Sequence, residues 1–124
     1  YKTGGNPKTP ANIEQLFTPS ETRPNYIFQT FLYASIMCRQ QTLKVAPALL
    51  YIHRAASDSY SPVIEMGEPR QPKIPVNNFT FFEDEFRKRL QTLLEEIFSE
   101  NEPFTQTEDI KKCSYCDFKA ICKR

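Results

Sequence analysis

The 124-residue sequence has no apolar run close to the roughly 20 residues that a membrane-spanning helix needs. It also has almost no net charge, because 16 basic and 15 acidic residues leave +1. No global field therefore attracts the chain to nucleic acid or to a membrane surface, and any nucleic-acid role depends on a local site. The sequence shows no internal repeat and no low-complexity tract.

The first residues include neither an initiator methionine nor the hydrophobic segment of a signal peptide. Length suits one domain with a modest core. A hydrophobic content of 40% and an aromatic content of 13% are typical of globular proteins. These features predict a cytoplasmic, globular fragment with no membrane partner.

Two segments have the periodicity of substantial helices, near 25–40 and 80–99. In the first, apolar residues fall on nearly every side, which predicts a helix buried all round. In the second, they form one stripe with charged residues off it. A short helix is predicted over 12–17, and apolar runs at 45–52 and 61–66 have strand length. The fold class predicted is α/β, with a small mixed sheet flanked by helices.

Three of the four cysteines lie near the chain end, as Cys113, Cys116 and Cys122 in a C-x2-C-x5-C pattern. Closely spaced thiolates are typical ligands of zinc and of iron–sulfur clusters. Both usually need four ligands, so three indicate a part of something larger. In a reducing compartment such clustering favours metal over disulfides, although four cysteines also fit a small secreted scaffold. Cys38, on the apolar helix, is predicted to be an inert buried thiol.

Three further residues are candidates for chemistry. Lys2, at a predicted strand end beside a Gly-Gly turn, has the means to hold a water nucleophile or to stabilise phosphate charge. The alternative is a solvated lysine, which the pentapeptide alone favours. Gln29 and Tyr33 stand at i and i+4, so they share a helix face and are placed to brace a catalytic lysine or contact a nucleic-acid backbone. A satisfied pair in the core is the alternative, and taken alone it is the better interpretation.

Taken in order, these features resemble one family. Tyr1-Lys2-Thr3-Gly4 looks like the end of the D-Y-K-T-G element of PD-(D/E)XK nucleases of the RecB/AddB type. The segment Gln29-Thr-Phe-Leu-Tyr33 matches the Q-x-x-x-Y motif of that group. The C-x2-C-x5-C tail is similar to the last three cluster cysteines of AddB-type nucleases and related CRISPR-adaptation exonucleases. The similarity spans nearly the whole chain.

The resemblance implies the C-terminal part of a restriction-endonuclease-like core that cleaves DNA with Mg or Mn. It assigns Lys2 as the catalytic lysine and places Gln29 and Tyr33 near the active site and the DNA. It makes the three tail cysteines ligands of a 4Fe-4S cluster. It also implies a helicase-type partner subunit and a role in double-strand-break repair and recombination, with no small-molecule substrate expected.

Two departures from the family pattern limit this assignment. The motif aspartate belongs immediately before Tyr1, and the family's other acidic residue and fourth cysteine belong further upstream. We therefore expect 1–124 to be one fragment of a nuclease domain, with a core part at 1–108 and a cysteine tail at 109–124. Its parent is expected to be a Mg-dependent exodeoxyribonuclease, and the fragment alone to be inactive, with zinc or no metal in its tail. The alternatives are a zinc-stabilised binding module without catalysis and a degenerate, inactive scaffold.

Overall fold

The computed structural model of the chain describes residues 5–40, 44–101 and 103–123. Two compact units are present, Tyr1–Leu94 and Glu95–Arg124. The fold is a small α/β arrangement, as predicted. Its helices and strands are α1 (Glu14–Phe17), α2 (Asn25–Gln40), a 3-10 turn (Ile52–Arg54), β1 (Glu65–Met66), β2 (Ile74–Pro75), α3 (Thr80–Phe98) and α4 (Ile110–Ser114). The strand end predicted at Tyr1 and Lys2 lies outside the described residues.

The short helix α1 begins where the sequence places reciprocal side-chain caps. The backbone N–H of Gln15 donates to Asn12 Oδ1 at 3.1 Å. In return, Gln15 Oε1 accepts from the backbone N–H of Ala11 at 2.7 Å. Such paired bonds satisfy donors that the first turn of a helix leaves unpaired. The helix ends at Thr18, whose backbone is extended.

The described sheet is two-stranded and antiparallel, with Glu65 opposite Pro75 and Met66 opposite Ile74. The apolar run predicted as a strand over 45–52 makes a bridge from Ala48 to Val63 and a bond from Leu49 N–H to the Pro62 carbonyl at 2.8 Å, and Tyr51 is a second bridge position in the run. Prolines at 47 and 62 supply no N–H, so they cannot donate to a regular ladder there. The run over 45–52 therefore pairs like a strand at single positions, but it does not form a regular strand along its whole length.

Helix α2 forms over the predicted residues, but the expectation of burial on nearly every side is wrong. Ile27, Phe31, Ala34 and Ser35 are buried. On the other side, apolar side chains keep large exposed fractions: Tyr26 45%, Tyr33 57%, Ile36 47% and Met37 37%. In the part of the chain that the structure describes, α2 therefore packs against the core through one face.

The core of the first unit centres on phenylalanine rings contributed by α1, α2, α3 and the turn before α3. Phe86 is fully buried, and its ring centroid lies 5.3 Å from that of Phe17, 5.6 Å from Phe28, 6.1 Å from Phe31 and 5.9 Å from Phe79. Offset and edge-on contacts of this kind add to the stabilisation from area burial. The apolar stripe predicted for α3 is thus confirmed in the first half of the helix.

The start of α3 is fixed by two bonds from the turn before it. Phe79 N–H donates to the Val45 carbonyl at 2.8 Å, and Thr80 N–H donates to Asn78 Oδ1 at 3.2 Å. Further along, Leu94 and Ile97 are 45% and 44% exposed. The first unit ends at Leu94, inside this helix.

The second unit has little buried surface of its own. Its helix α4 is five residues long and has no buried residue. Aromatic side chains in this unit are largely exposed, with Phe104 at 89% and Tyr115 at 93%. Among the described residues of the whole chain, none of the helices combines the length and the apolar character needed to cross a membrane.

Candidate functional site

Gln29 and Tyr33 meet on α2 as their spacing predicts. Gln29 Nε2 donates a hydrogen bond of 3.0 Å to the Tyr33 hydroxyl. Both side chains are exposed to solvent, so they are not a satisfied pair inside the core. The pair thus presents an amide and a hydroxyl, already oriented by each other, on the open face of the helix.

Lys2 lies outside the described residues, so the structure gives it no position. The backbone becomes describable at Gly5, where φ is +81°, in the left-handed region that favours glycine. Asn6 follows, and its Oδ1 accepts a 3.1 Å bond from Arg54 Nη2 on the 3-10 turn. This contact ties the segment after the Gly-Gly turn to a residue 48 positions away.

A cleft of about 260 Å³ opens between this segment and the beginning of α2. We call it the Lys8 cleft, and the described residues that line it are Gly5, Asn6, Lys8, Arg23, Pro24, Asn25, Tyr26, Ile27 and Tyr51. Sequence reasoning missed it. Lys8 and Tyr51 are separated by 43 positions and carry no shared motif, so only the fold brings them together.

Tyr51 is the buried polar residue of the Lys8 cleft, with 3% of its surface exposed. Burial, with the neighbouring Tyr60 and Tyr26 hydroxyls, raises the pKa of Tyr51 above that of an ordinary tyrosine. The Tyr60 hydroxyl makes two hydrogen bonds of 2.8 Å: it donates to the Leu49 carbonyl and accepts from the Tyr51 N–H.

The described residues do not form the divalent-metal site that the resemblance implies. No group of three or more His, Cys, Asp or Glu side chains that would hold an ion occurs among them. The acidic run at the start of α3 is engaged elsewhere, since Asp84 pairs with Arg87 at 2.9 Å and Glu85 with Arg89 at 3.0 Å. The chemistry of the donor set therefore does not fit such a metal at any described position.

Cys113 lies in α4, Cys116 follows the end of that helix and Cys122 lies in a turn near the chain end, and all three are half-buried and free. Cys113 Sγ lies 3.8 Å from the Asp109 carbonyl oxygen, and Cys116 N–H donates to the Cys113 carbonyl at 3.1 Å. Gln106 Nε2 donates to the Cys122 carbonyl at 3.2 Å. The described structure does not gather these three thiols into a ligand group, and the metal site stays a prediction.

Cys38 differs from the tail cysteines in its surroundings. It is half-buried on α2 and packs against the core. Burial raises the pKa of its thiol, and the negative charge of Glu83 raises the pKa further. The predicted burial is thus only partial, and low reactivity of this thiol stays a prediction.

Comparisons with known proteins give one positive result. Neither the curated proteins nor the solved structures contain a match to this sequence. A protein-family model, that of the PD-(D/E)XK nuclease superfamily, matches residues 1–123. Because this match covers nearly the entire sequence, from the segment that holds Lys2 through the cysteine tail, the chain belongs to the PD-(D/E)XK nuclease superfamily.

Proposed function

We propose that the chain is the C-terminal part of a metal-dependent DNA exonuclease domain of the RecB/AddB type. Its parent is a helicase–nuclease subunit that acts in double-strand-break repair. The observation that carries this proposal is the superfamily match over residues 1–123. Membership in the superfamily indicates a nuclease domain, and the order of the three sequence motifs supports the narrower assignment.

Lys2 is the proposed charge-stabilising group of the active site. A lysine ammonium is compact and donates three hydrogen bonds from a flexible stem, which suits contact with an attacking water or a phosphate oxygen. Gln29 and Tyr33 act as positioning residues in this proposal. Their 3.0 Å hydrogen bond and their exposure on α2 leave both groups open to DNA.

The carboxylates that hold Mg or Mn lie upstream of Tyr1 in this proposal, because the described residues supply no such group. Divalent metal supplies the activation of water and the neutralisation of phosphate charge in this chemistry. The 124-residue chain alone is then inactive. In the same way, Cys113, Cys116 and Cys122 provide three ligands of a 4Fe-4S cluster whose fourth cysteine lies upstream.

The proposal is tested on a longer protein that extends the chain upstream and includes these carboxylates. Lys2→Ala is expected to lower Mg-dependent turnover by about two to three orders of magnitude, the effect of losing one charge-stabilising group. Gln29→Ala and Tyr33→Phe are expected to have smaller effects, mainly on the KM for DNA. The control is Lys88→Ala, an exposed lysine on α3. Full turnover in Lys2→Ala would refute the role assigned to Lys2.

The cluster is tested separately from cleavage. The purified 124-residue chain is expected to show no visible absorption of a four-thiolate cluster, whereas the longer protein, purified without oxygen, is expected to show it. Loss of the band in Cys116→Ser of the longer protein would support ligation by the tail. A longer protein that contains zinc and no iron would favour the zinc-stabilised module.

A further inference from the structure

We propose that the Lys8 cleft binds a phosphate group of the DNA backbone. This inference rests on the proposed function for the identity of the nucleic acid, and on the geometry of the cleft for the phosphate. It concerns residues that none of the three sequence motifs contains.

The charge of the cleft is the first argument. Lys8 and Arg23 line it, and none of the described lining residues is acidic. Neither cation forms an ion pair with a carboxylate of the described chain. Both are instead held by neutral groups: Lys8 Nζ donates to the Thr22 and Arg23 carbonyls at 3.0 and 3.4 Å, and Arg23 Nε donates to Asn25 Oδ1 at 2.8 Å. Two basic residues without a carboxylate partner among the described residues therefore line one concave site, although the Arg23 guanidinium also lies 5.8 Å from the Phe28 ring centroid.

The second argument is a buried hydroxyl without a partner. The Tyr51 hydroxyl makes no hydrogen bond with the described residues, although Tyr51 is 97% buried. No fully buried polar side-chain atom in the described chain lacks a partner, so the Tyr51 oxygen keeps some exposed surface. Tyr51 lines the Lys8 cleft and also a second cavity that Lys8 and Glu65 line, and we assign its hydroxyl to the cleft. A tyrosine hydroxyl is protonated at neutral pH, so this group is a donor there, and burial moves its pKa further from that range.

The third argument is the position of α2. The cleft is lined by Pro24, Asn25 and Tyr26, at the N-terminus of this 16-residue helix. The partial positive charge at a helix N-terminus favours an anion. Together the lysine, the arginine and the tyrosine hydroxyl form a donor set that suits a phosphate oxygen. The helix end adds its partial positive charge, since the N–H groups of Asn25 and Ile27 already donate to carbonyls. A volume of about 260 Å³ gives the phosphate ample room.

The test measures how the 124-residue chain binds a short fluorescein-labelled DNA duplex, by anisotropy in EDTA over a series of KCl concentrations. Each phosphate contact adds about one to the steepness of the plot of log affinity against log salt concentration. Lys8→Gln and Arg23→Gln are each expected to weaken binding and to make that slope shallower, with a combined loss of about one for the single phosphate that the two cations share. Lys88→Gln removes the same charge from α3, outside the cleft, and is expected to leave the slope unchanged.

Two further variants separate contact from folding. Lys8→Arg keeps the charge and is expected to keep the original slope, and a circular dichroism spectrum of Lys8→Gln that matches the original protein excludes a merely structural effect of losing the bonds to Thr22 and Arg23. Tyr51→Phe removes only the hydroxyl, and is expected to weaken binding about twofold to tenfold without changing the slope. Unchanged slopes in both glutamine variants, or no binding of the duplex at all, would overturn the inference. Tighter binding of a matched RNA duplex would overturn the assignment to DNA.

The outcome is separable from that of the proposed function, because EDTA prevents cleavage and the longer protein is not used. Slope changes confined to the cleft variants, with no cleavage by the longer protein, would uphold the phosphate site and refute the exonuclease. Cleavage by the longer protein, with unchanged slopes in the cleft variants, would do the reverse.

Discussion

Phe86 is the residue on which the core of the first unit depends most. It is fully buried, and its ring contacts four other phenylalanine rings. We expect Phe86→Ala to lower the free energy of unfolding by about 3–5 kcal/mol, because it removes the transfer energy of the ring and leaves a cavity. The measurement is urea unfolding followed by circular dichroism.

The control for Phe86 lies on the same helix. Phe98 is 79% exposed, so Phe98→Ala is expected to change the free energy of unfolding by less than about 0.5 kcal/mol. Equal effects of the two substitutions would show that the ring cluster is not the core.

Cys38 offers a pH-dependent prediction at the same scale. Because burial and Glu83 raise its pKa, the folded protein keeps the thiol protonated in a range where the unfolded chain has begun to lose the proton. Stability from this group is fully present below the unfolded pKa, and is lost as pH rises through the folded pKa. The triple variant Cys113→Ser, Cys116→Ser, Cys122→Ser leaves Cys38 as the thiol to be measured. At mildly alkaline pH, we expect Cys38 to react with a thiol reagent more slowly in the folded protein than in the protein unfolded in urea. Equal rates would contradict the raised pKa.

At the scale of elements, the two long helices were predictable because their periodicity is local. The pattern predicted helices near 25–40 and 80–99, and α2 and α3 occupy Asn25–Gln40 and Thr80–Phe98. Burial was less predictable. Tyr33 and Ile36 have the same apolar character as Phe31, but only their packing partners decide which of them is covered.

The strands were harder to predict, because strand pairing depends on residues distant in sequence. Val45 to Ile52 alternates between buried and exposed positions over much of its length, as a strand does, yet it forms isolated bridges at Ala48 and Tyr51 instead of a regular strand. The Lys8 cleft escaped prediction for the same reason. Its lysine and its tyrosine come from separate segments, and no local pattern relates them.

Gly67 links β1 to the turn that follows it, and its conformation requires glycine. Its φ is +151°, and an added Cβ would lie 3.1 Å from the Pro72 carbonyl oxygen. Its carbonyl also accepts from Lys73 Nζ at 2.7 Å, and its N–H donates to the Pro10 carbonyl at 3.0 Å. We expect Gly67→Ala to cost about 1–3 kcal/mol of stability, the usual cost of a strained backbone conformation.

Gly5→Ala is the comparison for Gly67→Ala in thermal unfolding. Gly5 also has a positive φ, +81°, but a Cβ there would have no neighbour within 4 Å. Gly5→Ala therefore measures the cost of the backbone conformation without the cost of a steric clash. We expect it to lower stability less than Gly67→Ala does. A larger loss at Gly5 than at Gly67 would contradict the account of the β1 turn.

At the scale of the whole molecule, the assignment of the family and the assignment of the catalytic site rest on different evidence. The ordered motifs led from the sequence alone to the superfamily that the family model confirms. The catalytic arrangement did not follow, because Lys2 lies outside the described residues and the described carboxylates form no metal-binding group. We propose that the function of the chain depends on acidic residues contributed from upstream, and this dependence is the central claim.

The most direct test of that claim compares the 124-residue chain with the longer protein in one assay. The measurement is the release of acid-soluble nucleotides from linear DNA, with Mg or Mn and with EDTA. We predict release by the longer protein that depends on the metal, and no release by the 124-residue chain at any metal concentration. Metal-dependent release by the 124-residue chain, or none by the longer protein, would contradict the claim.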